Sequence, residues 1–145
     1  MSTTLGLKKP AMSLEQRRSQ AAWKYAQEGV AKSEKYKTLA KAAPALIMNN
    51  GLMQTLAFYE EKGKDKGKEH HHELASHLRR WIMQCAGGAD SDPCFEDFMK
   101  IMLNFDSSSY RQATEEALLL LRWIRQFAAA LAVKDKRESR QGESS

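Results

Sequence analysis

Residues 44–63 read PALIMNNGLMQTLAFYEEKG, and this stretch shows how the chain is organised. Two apolar segments, 44–48 and 52–59, flank a polar Asn-Asn-Gly triplet. Asn and Gly tolerate positive φ better than other residues, so Gly51 is suited to end one helix and let the next begin. The stretch therefore predicts a tight corner between two buried helices, and nothing in that corner requires a ligand.

The rest of the chain also shows helical periodicity. Ser13 and Gln16 match a capping box, which predicts a first helix from there to about Ser33. A second helix over 34–43 is expected to end at Pro44, which lacks the N–H for the preceding turn and is suited to begin the next helix. Further helices are expected over 44–50, 52–61 and 69–86. A short helix is expected to follow an N-cap at Asp92 with Pro93 at N1, and the last helix is expected to run from a cap at Ser107 or Ser108 to about Val133.

These patterns predict an all-α fold, a compact single-domain helical bundle of about six helices, because no segment alternates as a strand does. A chain of 145 residues with 42% hydrophobic residues suits one domain with a real core. We expect a flexible tail over 1–12, the helical domain over 13–133, and a disordered charged tail over 134–145. The stretch KGKDKGK, 62–68, is expected to be a solvated loop, although its lysines could also contact phosphate.

Several classes of protein are disfavoured by composition. No run of 18 apolar residues is free of charge, and the N-terminus lacks an apolar signal core, so we expect a cytoplasmic protein without a membrane partner. Cys85 and Cys94 are expected to be reduced thiols, since no export signal is seen and their spacing across Gly87-Gly88 matches no zinc motif.

Catalytic and metal motifs were not found in a convincing form. The run His70-His71-His72 is better explained as a solvated helix start, because consecutive histidines fan out around a helix. Only Glu73 and His77 have the i, i+4 spacing of helical metal ligands. No phosphate-binding glycine motif is present. The sequence therefore predicts a protein that is not an enzyme and that has no cofactor and no metal. The competing hypothesis is a small helical enzyme that uses His72 or His77 with Glu73.

Positive charge is concentrated at one end of the chain. Residues 1–50 hold nine basic and three acidic side chains, a net charge of +6, whereas the remaining residues hold fourteen basic and fifteen acidic ones, a net charge of −1. Such a distribution favours a polyanionic partner, although a merely solvated helix face explains it equally well. The basic ridges expected to contact a nucleic-acid backbone are Lys37 with Lys41 and Arg17 with Lys24. In addition, Arg111, Arg122 and Arg125 share one sector of the last helix.

The last helix is apolar almost all round, which predicts burial on more than one side. Either another subunit covers one side, or the helix is central and its own neighbours wrap it. The sequence alone leaves both arrangements open.

Two blocks of sequence resemble a known family when they are taken together. One is P-x-x-I-x-x-N-G-L-x-Q-x-L-x-F, residues 44–58, and the other is E-A-L-x-L-L-x-W-I-R-x-F, residues 116–127. Together with the basic first helix, and with Leu78 and Trp81-Ile82 between the two blocks, they resemble the small subunit of type III-B CRISPR RNA-guided effector complexes, the Cmr small-subunit family. The resemblance covers about 14–133, and the lysine loop, the histidine run and the charged tail match no family motif.

The resemblance implies an all-α, non-catalytic subunit in antiviral defence that stacks in several copies beside the backbone subunits. Its implied partners are the other Cmr effector subunits, copies of itself, and the guide and target RNA. Sequence specificity would come from guide pairing, and the protein would contact the RNA backbone. The candidate RNA-binding residues are Lys37, Lys41, Arg17, Arg18, Lys24 and Arg122, and the candidate subunit-interface residues are Leu120, Trp123 and Phe127. The alternative is a helical protein–protein adaptor without an RNA role.

Overall fold

A computed structural model describes residues 12–144 of the chain, and the side chains of 12–132. Within that range the chain forms six α-helices and no strand. They are α1 (Leu14–Lys32), α2 (Lys35–Asn50), α3 (Leu52–Lys62), α4 (Glu69–Cys85), α5 (Phe95–Leu103) and α6 (Ser107–Ser144). The predicted all-α, single-domain bundle of about six helices is confirmed. Among the residues described, no helix combines the length and apolar character needed to cross a membrane.

Helix α6 is the centre of the bundle, with α1, α2 and α4 packed against it. Its fully buried stripe recurs every three or four residues, as expected for the inner face of a helix, and comprises Ala117, Leu120, Leu121, Ile124 and Ala128. Of the two arrangements left open by the sequence, the chain's own helices cover this stripe. Apolar side chains at the edge of this stripe, Trp123 and Phe127 among them, stay half-buried.

The ends of the predicted domain are only partly within the described residues. The expected flexible tail over 1–12 lies outside them apart from Met12, which is exposed. Helix α6 extends to Ser144, beyond the predicted helix end near Val133. The disordered state expected of 134–145 stays a prediction, because the side chains there lie outside the described part of the chain.

Helix α1 begins as its sequence predicts and packs closely on α2. The Gln16 N–H donates to Ser13 Oγ at 3.1 Å, and the Ser13 N–H donates to the Gln16 side chain at 2.8 Å, which completes the capping box. Near its other end, Gly29 faces the buried ring of Tyr36 in α2. A Cβ atom at Gly29 would come within 2.5 Å of that ring, so the contact between the two helices requires glycine.

The corner at Gly51 is also as predicted. Gly51 has φ +87°, its N–H donates to Ile47 O at 2.7 Å, and α3 starts at the next residue. The Thr55 hydroxyl donates to Gly51 O, and the Met53 N–H donates to the Tyr110 hydroxyl at 3.1 Å. The corner is therefore held by α6 as well as by its own turn.

The expectation that a helix ends at Pro44 is wrong, because α2 continues through it to Asn50. Proline removes one backbone hydrogen bond and normally kinks or breaks a helix. Here Ala40 and Ala43 before it and Ile47 after it are all buried in the same core. Packing on both sides of the proline outweighs the loss of one hydrogen bond.

The predicted caps of α5 and α6 are also wrong. Asp92 does not cap α5, which begins after Cys94. Its carboxylate instead accepts from Arg79 Nε at 3.0 Å, because Arg79 is almost completely buried and needs a counter-charge. Helix α6 does begin at Ser107, but its cap is Asp106, whose Oδ1 accepts from the Ser109 N–H at 2.7 Å.

Candidate nucleic-acid interface

A basic stripe runs along one side of α2. Lys37, Lys41 and Pro44 are spaced i, i+4 and i+7, so they share one face of the helix. That face lies beside the buried residues that hold α2 in the bundle, so the packing of α2 fixes the direction of the basic face. Lys41 is exposed and Lys37 is half-buried, and neither has an acidic partner within 4.0 Å among the described side chains. Their charge is therefore available to a ligand.

An open groove connects this stripe to α6. The groove has a volume of about 730 Å³ and is lined by Pro44 of α2, by Glu15 and Arg18 of α1, and by a run of α6 that includes Leu119, Arg122, Trp123, Arg125 and Gln126. Arg122 and Arg125 are exposed, and neither makes an ion pair with a described side chain. The lysines of α2 are not among the lining residues, but Lys41 and Lys37 lie one and two turns before Pro44 on the same face, so this face leads to the groove that the arginines of α6 line. We call Lys37, Lys41, Arg122 and Arg125 the basic groove.

Arg125 is the member of the basic groove that is absent from the predicted RNA-binding residues. The sequence places it in one sector with Arg111 and Arg122, but gives no reason to prefer one end of that sector. In the structure Arg125 lines the groove, whereas Arg111 lies three turns before Arg122, about 16 Å along the helix, and is not among the lining residues. Glu15 is the one carboxylate among the described lining residues, and it reduces the positive charge at the α1 side of the groove.

Arg18 was predicted to bind RNA, but its side chain is buried and pairs with Glu116. It is 8% exposed, and its Nε and Nη2 donate to the two carboxylate oxygens of Glu116 at 2.9 and 2.8 Å. Trp81 Nε1 donates to the same carboxylate at 3.1 Å. Burial acts to raise the pKa of Glu116, but the hydrogen bonds from Arg18 and Trp81 outweigh it and lower that pKa. The side chain of Arg18 joins α1 to α6 at the bottom of the groove.

Lys24 of α1, another predicted RNA-binding residue, already has an acidic neighbour. It is exposed, and its Nζ is 3.3 Å from Asp90, which Arg80 of α4 also binds. Arg17 is exposed and makes no ion pair with a described side chain. The structure therefore places Arg122 in the groove and Lys37 and Lys41 on the α2 face that leads to it, whereas Arg17 and Lys24 are not among the lining residues.

A partly exposed aromatic cluster adjoins the basic groove. Trp23 of α1 is 43% exposed, and its ring meets Phe127 edge-to-face with the centroids 5.2 Å apart. The Trp123 and Phe127 centroids are 5.5 Å apart. These two predicted interface residues therefore lie at the surface with Trp23, which sequence reasoning missed. Leu120, the third one, is fully buried within the chain's own core and has no surface to offer a partner.

The residues of the rival enzyme do not form an open catalytic site. His77 is 0% exposed, and hydrogen bonds to Tyr36 and Glu28 occupy both of its ring nitrogens. His72 is exposed and faces Glu60 at 3.8 Å, not Glu73. Cys85 and Cys94 are free and exposed, as the sequence predicts for reduced thiols.

Comparison with known protein families supplies an independent finding. The model of the family described as "CRISPR-associated protein (Cas_Cmr5)" matches residues 14–131, most of the chain. The chain therefore belongs to the Cas_Cmr5 family of CRISPR-associated proteins. Membership indicates a subunit of a CRISPR-associated Cmr complex, which acts together with other Cmr subunits.

Proposed function

We propose that this member of the Cas_Cmr5 family is the non-catalytic small subunit of a type III-B CRISPR ribonucleoprotein effector complex in the cytoplasm. In this proposal several copies stack beside the backbone subunits and contact the guide–target RNA duplex through basic helical surfaces, in antiviral defence. Family membership supports the Cmr part of the proposal. The basic groove, with four cations that lack acidic partners among the described side chains, is the observation that carries the RNA part.

Phosphate contact is what these cations are suited for. Lysine and arginine that neutralise phosphates release condensed counterions, and this gives affinity without sequence preference. Lys37 and Lys41 come from one helix and Arg122 and Arg125 from another, so the groove presents two rows of charge to one backbone. The described fold contains no helix-turn-helix or other base-reading motif, and guide pairing would supply the sequence specificity.

Arg17 and Lys24 have a different place in the proposal. Neither residue lines the basic groove, and Lys24 lies beside Asp90. They remain candidates for a second RNA strand or for a neighbouring copy. Lys24 is the weaker candidate, since Asp90 already lies 3.3 Å from its ammonium group.

Contact between subunits would use the aromatic cluster. Trp23, Trp123 and Phe127 combine large apolar area with partial exposure, and aromatic residues of this kind are enriched at the centres of protein interfaces. The cluster adjoins the groove through Trp123, so a neighbouring subunit could extend the RNA-binding surface from one copy to the next.

The experiment for this proposal uses a guide-loaded complex of the other Cmr subunits. Its affinity for complementary target RNA is measured with and without this chain, at two salt concentrations. We expect tighter and more salt-sensitive binding when the chain is present. If the chain is incorporated but affinity and salt dependence do not change, the RNA part of the proposal is wrong.

The helical adaptor is the second candidate, and the aromatic cluster is the observation that favours it. An adaptor would need Trp23 and Phe127 for incorporation, and its basic groove would be irrelevant. Two measurements on Trp23→Ala and Phe127→Ala variants separate the two candidate functions: the incorporation of each variant into the complex, and the affinity of that complex for target RNA. Loss of incorporation, together with RNA affinity that never depended on the chain, would support the adaptor.

A further inference from the structure

A polar cluster lies at the junction of α1, α2 and α4, apart from the basic groove. It consists of Glu28 from α1, Tyr36 from α2, and Glu73 and His77 from α4. Glu73 and His77 are spaced i, i+4, which places both side chains on the same side of α4. His77 and Tyr36 are completely buried, whereas the side chains of Glu28 and Glu73 are 34% and 15% exposed.

The distances in this cluster are close to those of a metal-binding site. His77 Nε2 lies 3.1 Å from Glu28 Oε1 and 3.3 Å from Glu73 Oε2, and the three ligand atoms all lie within 4.8 Å of one another. A tetrahedral zinc ion with bonds of about 2.0 Å holds its ligand atoms about 3.3 Å apart. The three side chains could therefore bind such an ion with little movement.

The histidine ring is held in a fixed orientation. Tyr25 stacks on it with the centroids 4.5 Å apart, and the Tyr36 hydroxyl is 2.7 Å from Nδ1. Histidine ligands of metals characteristically engage their second nitrogen in a hydrogen bond of this kind, which fixes the tautomer. With a metal at Nε2, the Nδ1–H would donate to the Tyr36 oxygen. This arrangement requires only that the ring proton be carried on Nδ1.

A second groove reaches Glu73, one of the four cluster residues, from solvent. It has a volume of about 650 Å³ and is lined by the segment 29–35 and by the start of α4, including Glu73. His70 also lines it, one helical turn before Glu73. His70 is 7% exposed and makes no hydrogen bond with a described residue. Its ring nitrogens are not among the buried unpartnered side-chain atoms of the described residues, so the imidazole reaches the water of the groove.

Two cations already contact these carboxylates. Lys32 Nζ lies 3.0 Å from Glu73 Oε1 rather than Oε2, and its side chain is 69% exposed, so it can withdraw into solvent. Arg80 donates at 3.2 Å to Glu28 Oε1, the same oxygen that lies 3.1 Å from His77 Nε2, so a bound ion would replace this hydrogen bond while Arg80 keeps Asp90 as its partner.

We propose that Glu28, Glu73 and His77 bind one divalent transition-metal ion of the zinc class, with water from the second groove as the fourth ligand. One histidine nitrogen and two carboxylate oxygens form a donor set suited to such ions. The ion would join α1 to α4 and stabilise the fold without a catalytic role. This site differs from the sequence-based expectation of no metal, and it does not depend on the proposed RNA function.

The test uses the full-length chain, stripped of metal, with Zn²⁺ in equilibrium dialysis and Co²⁺ as a spectroscopic probe. We expect one equivalent of Zn²⁺ and the visible absorption of four-coordinate Co²⁺. Glu28→Gln, a partly exposed change, should weaken binding at least tenfold. Tyr36→Phe removes only the hydroxyl at Nδ1 and should weaken binding by about tenfold. Circular dichroism verifies that each variant is folded.

The matched control removes two of the other histidines that could attract the ion, His71 and His72, and leaves His70 in place. A His71→Gln/His72→Gln variant should bind Zn²⁺ as the parent chain does. The proposal is overturned if the parent chain binds no stoichiometric Zn²⁺. It is equally overturned if binding survives Glu28→Gln but is lost in the His71/His72 variant, since the ion would then lie on the histidine run.

Discussion

Replacement of Arg18 by methionine should destabilise the chain without weakening RNA binding, contrary to the role expected from sequence. Methionine keeps much of the apolar volume but removes both hydrogen bonds to Glu116. Breaking a buried ion pair by removing one partner costs about 3–5 kcal/mol, because the other charge stays buried and uncompensated. The side chains of Arg18 and Glu116 keep 10% and 17% exposure, and Trp81 still donates to the carboxylate, so we expect a loss at or just below the lower end of that range, about 2–3 kcal/mol.

Thermal unfolding followed by circular dichroism measures this loss. For a domain of this size, about 2–3 kcal/mol corresponds to a fall in Tm of roughly 5–10 °C. Arg17→Met is the matched control, because Arg17 is the neighbouring arginine, is exposed and has no acidic partner among the described side chains. Its effect should stay within about 0.5 kcal/mol. Equal Tm values for the two variants would refute the reasoning, and so would loss of RNA affinity in a folded Arg18→Met complex.

Two further predictions concern stability. Gly29→Ala places a Cβ atom about 2.5 Å from the buried Tyr36 ring and should lower the free energy of unfolding by about 1–3 kcal/mol in urea titrations, although alanine is the better helix former. Ala31→Gly, at an exposed site of α1, is the control for helix propensity alone. A Gly29→Ala chain that is more stable than the parent would contradict the close packing of Gly29 on Tyr36. Because the folded pKa of Glu73 is lowered from 4.5 to about 2, its contribution to stability is complete above about pH 5 and disappears as the pH falls towards 2. In metal-free buffer, Glu73→Gln should therefore flatten the decline of stability between pH 5 and 2, and an unchanged decline would contradict that assignment.

The helices could be predicted from the sequence because their signals are local. The capping box at Ser13, the glycine at position 51 and the apolar periodicity of α6 depend on residues within a few turns of one another. The family motifs added the fold-level context. Pro44 failed as a stop signal because the burial of its neighbours, which no local pattern shows, outweighs the missing hydrogen bond.

The candidate site was only partly predictable for the same reason. Arg17 and Arg18 are adjacent in sequence and look equivalent, yet one is exposed and the other pairs with Glu116, 98 residues away. Asp92 likewise resembles a helix cap, but it neutralises the buried Arg79. Pairing between distant charges depends on tertiary packing, so sequence spacing identified the basic helix faces but not which cations remain available.

The grouping of Lys37, Lys41 and Arg122 explains which residues should act together. The first two were predicted as one ridge, and Arg122 was predicted separately on α6. Only the fold shows that Arg122 and Arg125 line a groove to which the α2 face with both lysines leads through Pro44. A combined substitution of the three therefore removes one continuous charged surface, rather than three unrelated contacts.

The salt dependence of target-RNA binding by the assembled complex tests the central claim most directly. The complex is assembled with the parent chain, with a Lys37→Gln/Lys41→Gln/Arg122→Gln variant, or with a control that removes two exposed lysines outside both the basic groove and the lysine loop, Lys35 and Lys100. For each copy that contacts the duplex, the first variant should weaken binding and reduce the log–log salt slope by about three units, because each phosphate contact contributes about one. The control should leave the slope unchanged. An unchanged slope with the fully incorporated groove variant would contradict the account.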